Sequence, residues 1–103
     1  MSQKFRLKNA KSMASPWRRR RMCVVHADSP SPAALEAVSG RGATIRSNAE
    51  LAHGSTVTLV HPAAGEIVAE VHAVSETGIE LSFLGDERSV AFALSAVAAD
   101  MTR

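Results

Sequence analysis

Hydrophobic and polar residues alternate most regularly in the second half of the chain. Thr56 and Thr58 alternate with Val57 and Leu59 between Ser55 and His61. That two-residue period belongs to a strand with one wet face and one dry face. Pro62-Ala63-Ala64-Gly65 follows as a turn, with proline and glycine at suitable ends. From Glu66 to Val74, Ile67, Ala69, Val71 and Ala73 fall on one face, while Glu66, Glu70 and His72 fall on the other. Glu76-Thr77-Gly78 reverses the chain, and Ile79, Leu81 and Phe83 then alternate with Glu80 and Ser82.

After Phe83 the period lengthens. Asp86 is placed to cap a helix that starts at Glu87. Val90, Leu94, Val97 and Met101 recur at helical spacing and give that helix an apolar face. The intervening alanines are strong helix formers. Arg103 suits the negative end of the helix dipole.

The first half is punctuated more heavily. Met22 to His26 is short and partly β-branched and reads as a first strand. Asp28-Ser29-Pro30-Ser31-Pro32 reads as a break, because two prolines remove ladder donors. Ala33 to Val38 is a second strand and Ala43 to Arg46 a third, joined by Ser39-Gly40-Arg41-Gly42. The glycines predict a tight strand-to-strand turn, and Gly42 permits close approach of a ligand or another backbone. Ser47 to Gly54 is a longer connection. Short strands divided by turn signals predict a mainly β sandwich or barrel, here with one terminal helix.

Composition sharpens this picture in two respects. The chain has 103 residues, enough for one domain with a modest core. Its formal net charge is only +2, but the distribution is lopsided. Eight cations precede Met22 without an acid among them: Lys4, Arg6, Lys8, Lys11 and Arg18 to Arg21. Residues 1–17 are expected to be a flexible basic arm and residues 18–103 the folded domain. Such a charge asymmetry suits an anionic partner or docking of the arm onto the acidic body.

Cys23 is the only cysteine, which rules out an internal disulfide and fits a reducing compartment. No apolar run reaches the length of a membrane span, and the basic N-terminus lacks the apolar segment of a secretory signal. The expected location is the cytoplasm, with no membrane partner. His26, His53, His61 and His72 lack the close pairing of a metal site, and exposed or edge-strand positions are expected for them. Neither a nucleophile elbow nor a glycine-rich phosphate loop occurs. The pattern argues against an enzyme and calls for no cofactor.

Arg18-Arg19-Arg20-Arg21 carries the strongest chemical signal. A guanidinium donates paired hydrogen bonds to phosphate or to the O6 and N7 edge of guanine, and it stacks on purines. Taken alone, the run also fits a solvated basic cluster or weak, non-specific nucleic-acid binding.

Three features together resemble the PilZ family: this arginine cluster, a turn related to Asp/Asn-x-Ser-x-x-Gly, and the cadence Leu51, Gly54, Val57-Thr58-Leu59, Val71, Gly78-Ile79, Phe83. The resemblance spans roughly residues 18 to 100. It implies a small antiparallel six-stranded β-barrel with a C-terminal α-helix, acting as a bacterial signalling domain that binds cyclic di-GMP. In that reading Arg18, Arg19, Arg20 and Arg21 grip guanines and phosphates, while Ser39 and Gly42 form the barrel-side wall. Trp17 adds a stacking face. Binding would be relayed to a downstream protein through the arm.

The sequence departs from the family pattern at two places. Ala37 occupies the Asp/Asn position, and the family's arginine pair separated by three residues is missing, since Trp17 and Met22 flank the run. Losing one charged hydrogen bond costs about 1.5–3 kcal/mol, or roughly one to two decades of affinity. The alternative of another class is a degenerate PilZ-like adaptor that binds proteins and not the dinucleotide. Nucleic-acid binding through the arm is a third.

Overall fold

The computed structural model describes residues 22–101. The arm at 1–17, Arg18 to Arg21 and Arg103 lie outside the described residues. The described chain forms β1 (Met22–His26), β2 (Pro30–Ser39), β3 (Gly42–Arg46), β4 (Thr56–His61), β5 (Gly65–Ser75), β6 (Gly78–Ser82) and α1 (Glu87–Met101). The strands close into an antiparallel barrel in the order β1-β2-β3-β6-β5-β4. Closure comes from β1 against β4, where Val25 faces Leu59. The mainly β barrel with a single C-terminal helix is thus the architecture of the described chain. No described helix is long and apolar enough to cross a membrane.

The alternation explains the barrel interior. Val25, Ala33, Leu35, Ala43, Ile45, Val57, Leu59, Ile67, Ala69, Val71, Ile79 and Leu81 are all buried in one cluster. Burying a side chain of this kind contributes about 1.5–3 kcal/mol for the larger ones. Cys23 belongs to the same cluster at 1 % exposure, and burial pushes its thiol up to about 11. It therefore behaves as a small apolar residue and not as a nucleophile at neutral pH.

The expected break over Asp28 to Pro32 is shorter than the prolines suggest. Strand β2 already begins at Pro30, with Pro30 opposite His26 and Pro32 opposite Val24. The carbonyl of Pro32 points away from β1 and accepts from Ser47 Oγ at 2.7 Å. On that side β3 has ended, since its last residue, Arg46, lies opposite Ala34. The missing proline N–H therefore falls where no ladder partner exists, which is how a strand tolerates it.

Two register shifts shape the sheet. One falls between Leu35 and Ala37 in β2, the other between Val71 and Ala73 in β5. Each inserts an extra residue, Glu36 and His72 respectively, and reverses the side-chain alternation beyond it. Ala73, expected on the inner face with Val71, instead lies opposite the outward Glu80.

Helix α1 starts at the expected cap. Asp86 Oδ1 accepts from the backbone N–H of Arg88 at 3.1 Å and of Ser89 at 3.2 Å. Ser89 is buried but satisfied, its Oγ accepting from the Gly85 N–H at 3.1 Å. The face packed on the barrel, however, is not the Val90 stripe. Ser89, Phe92, Ala93 and Ala96 are the buried positions. Phe92 meets Phe83 edge-on with ring centroids 5.7 Å apart, and His61 likewise at 6.0 Å. One aromatic side chain flanked by alanines lets the helix come close and bury a large ring. The Val90, Leu94, Val97 and Met101 stripe stays exposed, with Val90 beside Gly40 and with Val97 and Met101 bordering a cavity against β2.

His61 is a second correction, because it is only 3 % exposed. Its Nδ1 accepts from the backbone N–H groups of Ala63 and Ala64, both at 3.0 Å. The ring thereby holds the β4–β5 turn, which Gly65 completes at φ 87°. Burial lowers the pKa of His61, while the charge of Asp100 opposes that shift.

Candidate ligand-binding groove

The β2–β3 hairpin is closed by two residues, Gly40 and Arg41, between the paired Ser39 and Gly42. Ser39 Oγ accepts from the Arg41 N–H at 3.2 Å. Across the sheet, the Arg41 carbonyl accepts from the Phe83 N–H at 2.8 Å. The Arg41 backbone is thus held on both sides while its side chain remains exposed. Accepting one bond leaves the Ser39 hydroxyl proton available to a ligand.

Gly42 has a packing reason to be glycine. A Cβ built there would lie 2.1 Å from the Leu81 carbonyl oxygen. The close approach is therefore between backbones of β3 and β6, where Gly42 faces Ser82.

The bulge at Glu36 turns Ala37 to the outer face. Beyond it, Ala37 lies opposite Thr44, Thr44 opposite Glu80, and Glu80 opposite Ala73. This row crosses β2, β3, β6 and β5 on the outside of the barrel. Ala37, Thr44 and Glu80 of this row line an open groove of about 350 Å³, together with Ser39, Arg41, Gly42 and His72. The size falls within the range of small-molecule sites. Arg41 supplies a cation, Ser39 and Thr44 hydroxyls, and Glu80 a carboxylate. Such a set suits a ligand carrying both phosphate and base-edge donors.

A second groove of about 480 Å³ lies beside the row Met22, Ala34, Arg46, and Ser47, Asn48 and Glu76 also line it. Here Arg46 Nε donates to Glu36 Oε2 at 2.7 Å. Among the described residues, no group of three His, Cys, Asp or Glu side chains is arranged to hold a metal.

The structure thus brings Ser39, Gly42 and the Ala37 position to one groove. It does not describe Arg18, Arg19, Arg20 or Arg21, the other expected ligand residues. Sequence reasoning missed Thr44, His72 and Glu80 as lining residues. Their outward strand positions were legible, but which of them meet depends on two bulges that alternation does not announce. Comparison with protein-family models, curated proteins and solved structures finds no match to this chain.

Proposed function

We propose that the chain is a receptor for cyclic di-GMP, the ligand its PilZ-like features imply, and that the Ser39–Gly42 groove takes one guanine and its phosphate. The observation that carries this reading is the convergence of Ala37, Ser39, Arg41 and Gly42 on one outer groove, the region that the family's Asp/Asn-x-Ser-x-x-Gly turn would supply. Ser39 donates to a phosphate oxygen, and Arg41 adds a guanidinium that the family pattern does not require. The sequence enters β1 at Met22, opposite Ala34. Four residues of chain reach about 14 Å, and Ala34 to Ser39 spans about 17 Å of strand. The reading requires Arg18, four residues before Met22, to extend back along β2 toward Ala37 and Ser39.

Ala37 is the weak point of this site, and it also provides the test. Ala37→Asn would project an acceptor and a donor into the groove floor. The expected gain in cyclic di-GMP affinity is several-fold, corresponding to about 1 kcal/mol for one neutral hydrogen bond. Titration calorimetry with cyclic di-GMP, a linear guanine nucleotide and short DNA reads it. DNA affinity should ignore position 37 and follow the arginines, because non-specific contacts are made to phosphate. Dinucleotide affinity unchanged by Ala37→Asn in a folded protein, with replacement of Arg18 to Arg21 weakening DNA and dinucleotide alike, would overturn the specific site in favour of a basic arm.

A further inference from the structure

Two cross-strand rows line the groove. Ser39 lies opposite Gly42 and Gly42 opposite Ser82, while Ala37 lies opposite Thr44 and Thr44 opposite Glu80. The rows are two residues apart along each strand, about 7 Å. The first row carries hydroxyls and, at its hairpin, Arg41. The second row ends in a carboxylate. Among the described residues that line the groove, Glu80 is the only acid. It is exposed, and among the described residues its side chain has no ion pair or hydrogen bond, whereas Glu36 is engaged by Arg46. A free carboxylate is a poor wall for a phosphate, whose charge it repels. It is well matched to a base edge that only donates. Guanine presents N1–H beside its N2 amino group, and a carboxylate accepts from both in parallel. Adenine presents the N1 acceptor beside its N6 amino group, so the same carboxylate meets a lone pair and loses one bond.

We propose that Glu80 is the specificity-determining residue of this groove, accepting from the Watson–Crick edge of guanine and rejecting adenine. The inference rests on the dinucleotide reading above, and it gives Glu80 the acceptor role that Ala37 cannot fill. Glu80 stands on the same row as Ala37, two strands away, or about 10 Å across the sheet. A base lying over Thr44 spans that interval, with its phosphate toward Ser39 and Arg41. The acid then works as a filter. It weakens every anionic ligand by repulsion and returns the loss only to a base with two donors. A bidentate contact of this kind separates the right base from the wrong one by roughly 10–100-fold.

Titration calorimetry of the full chain with cyclic di-GMP and with cyclic di-AMP tests this, and the readout is the ratio of the two affinities. The wild type should favour cyclic di-GMP by roughly 10–100-fold. Glu80→Gln should cut that ratio about tenfold or more, because an amide both accepts from N6 and donates to N1 of adenine. Glu80→Asp keeps the acceptor and should keep a preference for guanine. Glu66→Gln, at an exposed position outside the groove lining, should leave the ratio unchanged. Loss of negative charge alone would strengthen both ligands alike and leave the ratio where it was. A ratio that Glu80→Gln does not move, or a wild type that binds both dinucleotides equally, overturns the role of Glu80 while the dinucleotide groove stands. A wild type that binds neither dinucleotide overturns both.

Discussion

At the scale of single residues, the informative side chains are those whose neighbours decide their chemistry. His61 was legible only as an isolated histidine, because nothing local marks its burial under Phe92. Yet its ring fixes two backbone amides and is held neutral by desolvation, with Asp100 acting against that shift. The sign of the pH effect follows. The folded chain keeps the ring neutral below the ordinary value of 6.5, while the unfolded chain takes up a proton there. Stability is therefore retained above that value and lost as pH falls through it, by at most about 1.4 kcal/mol per pH unit, until the lowered folded value is passed. His61→Leu should remove this dependence and, by leaving the Ala63 and Ala64 amides without their acceptor, cost about 1–3 kcal/mol at neutral pH. Urea unfolding at a series of pH values reads both effects. A wild-type curve as flat as the variant's between neutral and mildly acidic pH would contradict the assignment.

At the scale of elements, strands and helix were legible because period-2 and period-3.6 patterns need no tertiary information. The β4 and β6 alternation, that of β5 as far as Val71, and the Asp86 cap appear where the sequence places them. Other features were not legible, each for a physical reason. The proline-containing start of β2 depends on β3 ending early, and the bulges depend on pairing across strands. The packed face of α1 depends on a choice between two stripes with the same period. Ser89, Phe92, Ala93 and Ala96 prevail because one large ring among small residues fills the gap above Phe83 and His61. That choice has a measurable consequence. Phe92→Ala should destabilise the fold by about 3–5 kcal/mol. Leu94→Ala, on a side chain 67 % exposed, should change stability by less than about 0.5 kcal/mol. Denaturant midpoints at constant m-value give the comparison, and the reverse order would mean that the Val90 stripe is the buried one.

At the scale of the whole molecule, a closed barrel presents the Ser39–Gly42 groove, and the arginine run precedes β1 in the sequence. One end of the proposed site was legible, Ser39 and Gly42 from turn chemistry and Ala37 from the resemblance to the family's turn. The groove floor was not, since Thr44, His72 and Glu80 meet only through the register of four strands. Helix α1 borders this hairpin, since a Cβ at Gly40 would lie 3.4 Å from Val90 Cγ2. The central claim is that a guanine dinucleotide binds at this groove. Amide-resolved NMR titration with cyclic di-GMP tests it most directly. The account predicts saturable shifts at Ser39, Arg41, Gly42, Thr44 and Glu80, together with Arg18 to Arg21. Linear guanine nucleotide should not reproduce them. Shifts confined to the residues before Met22, with the groove amides unmoved and short DNA giving the same pattern, would contradict it.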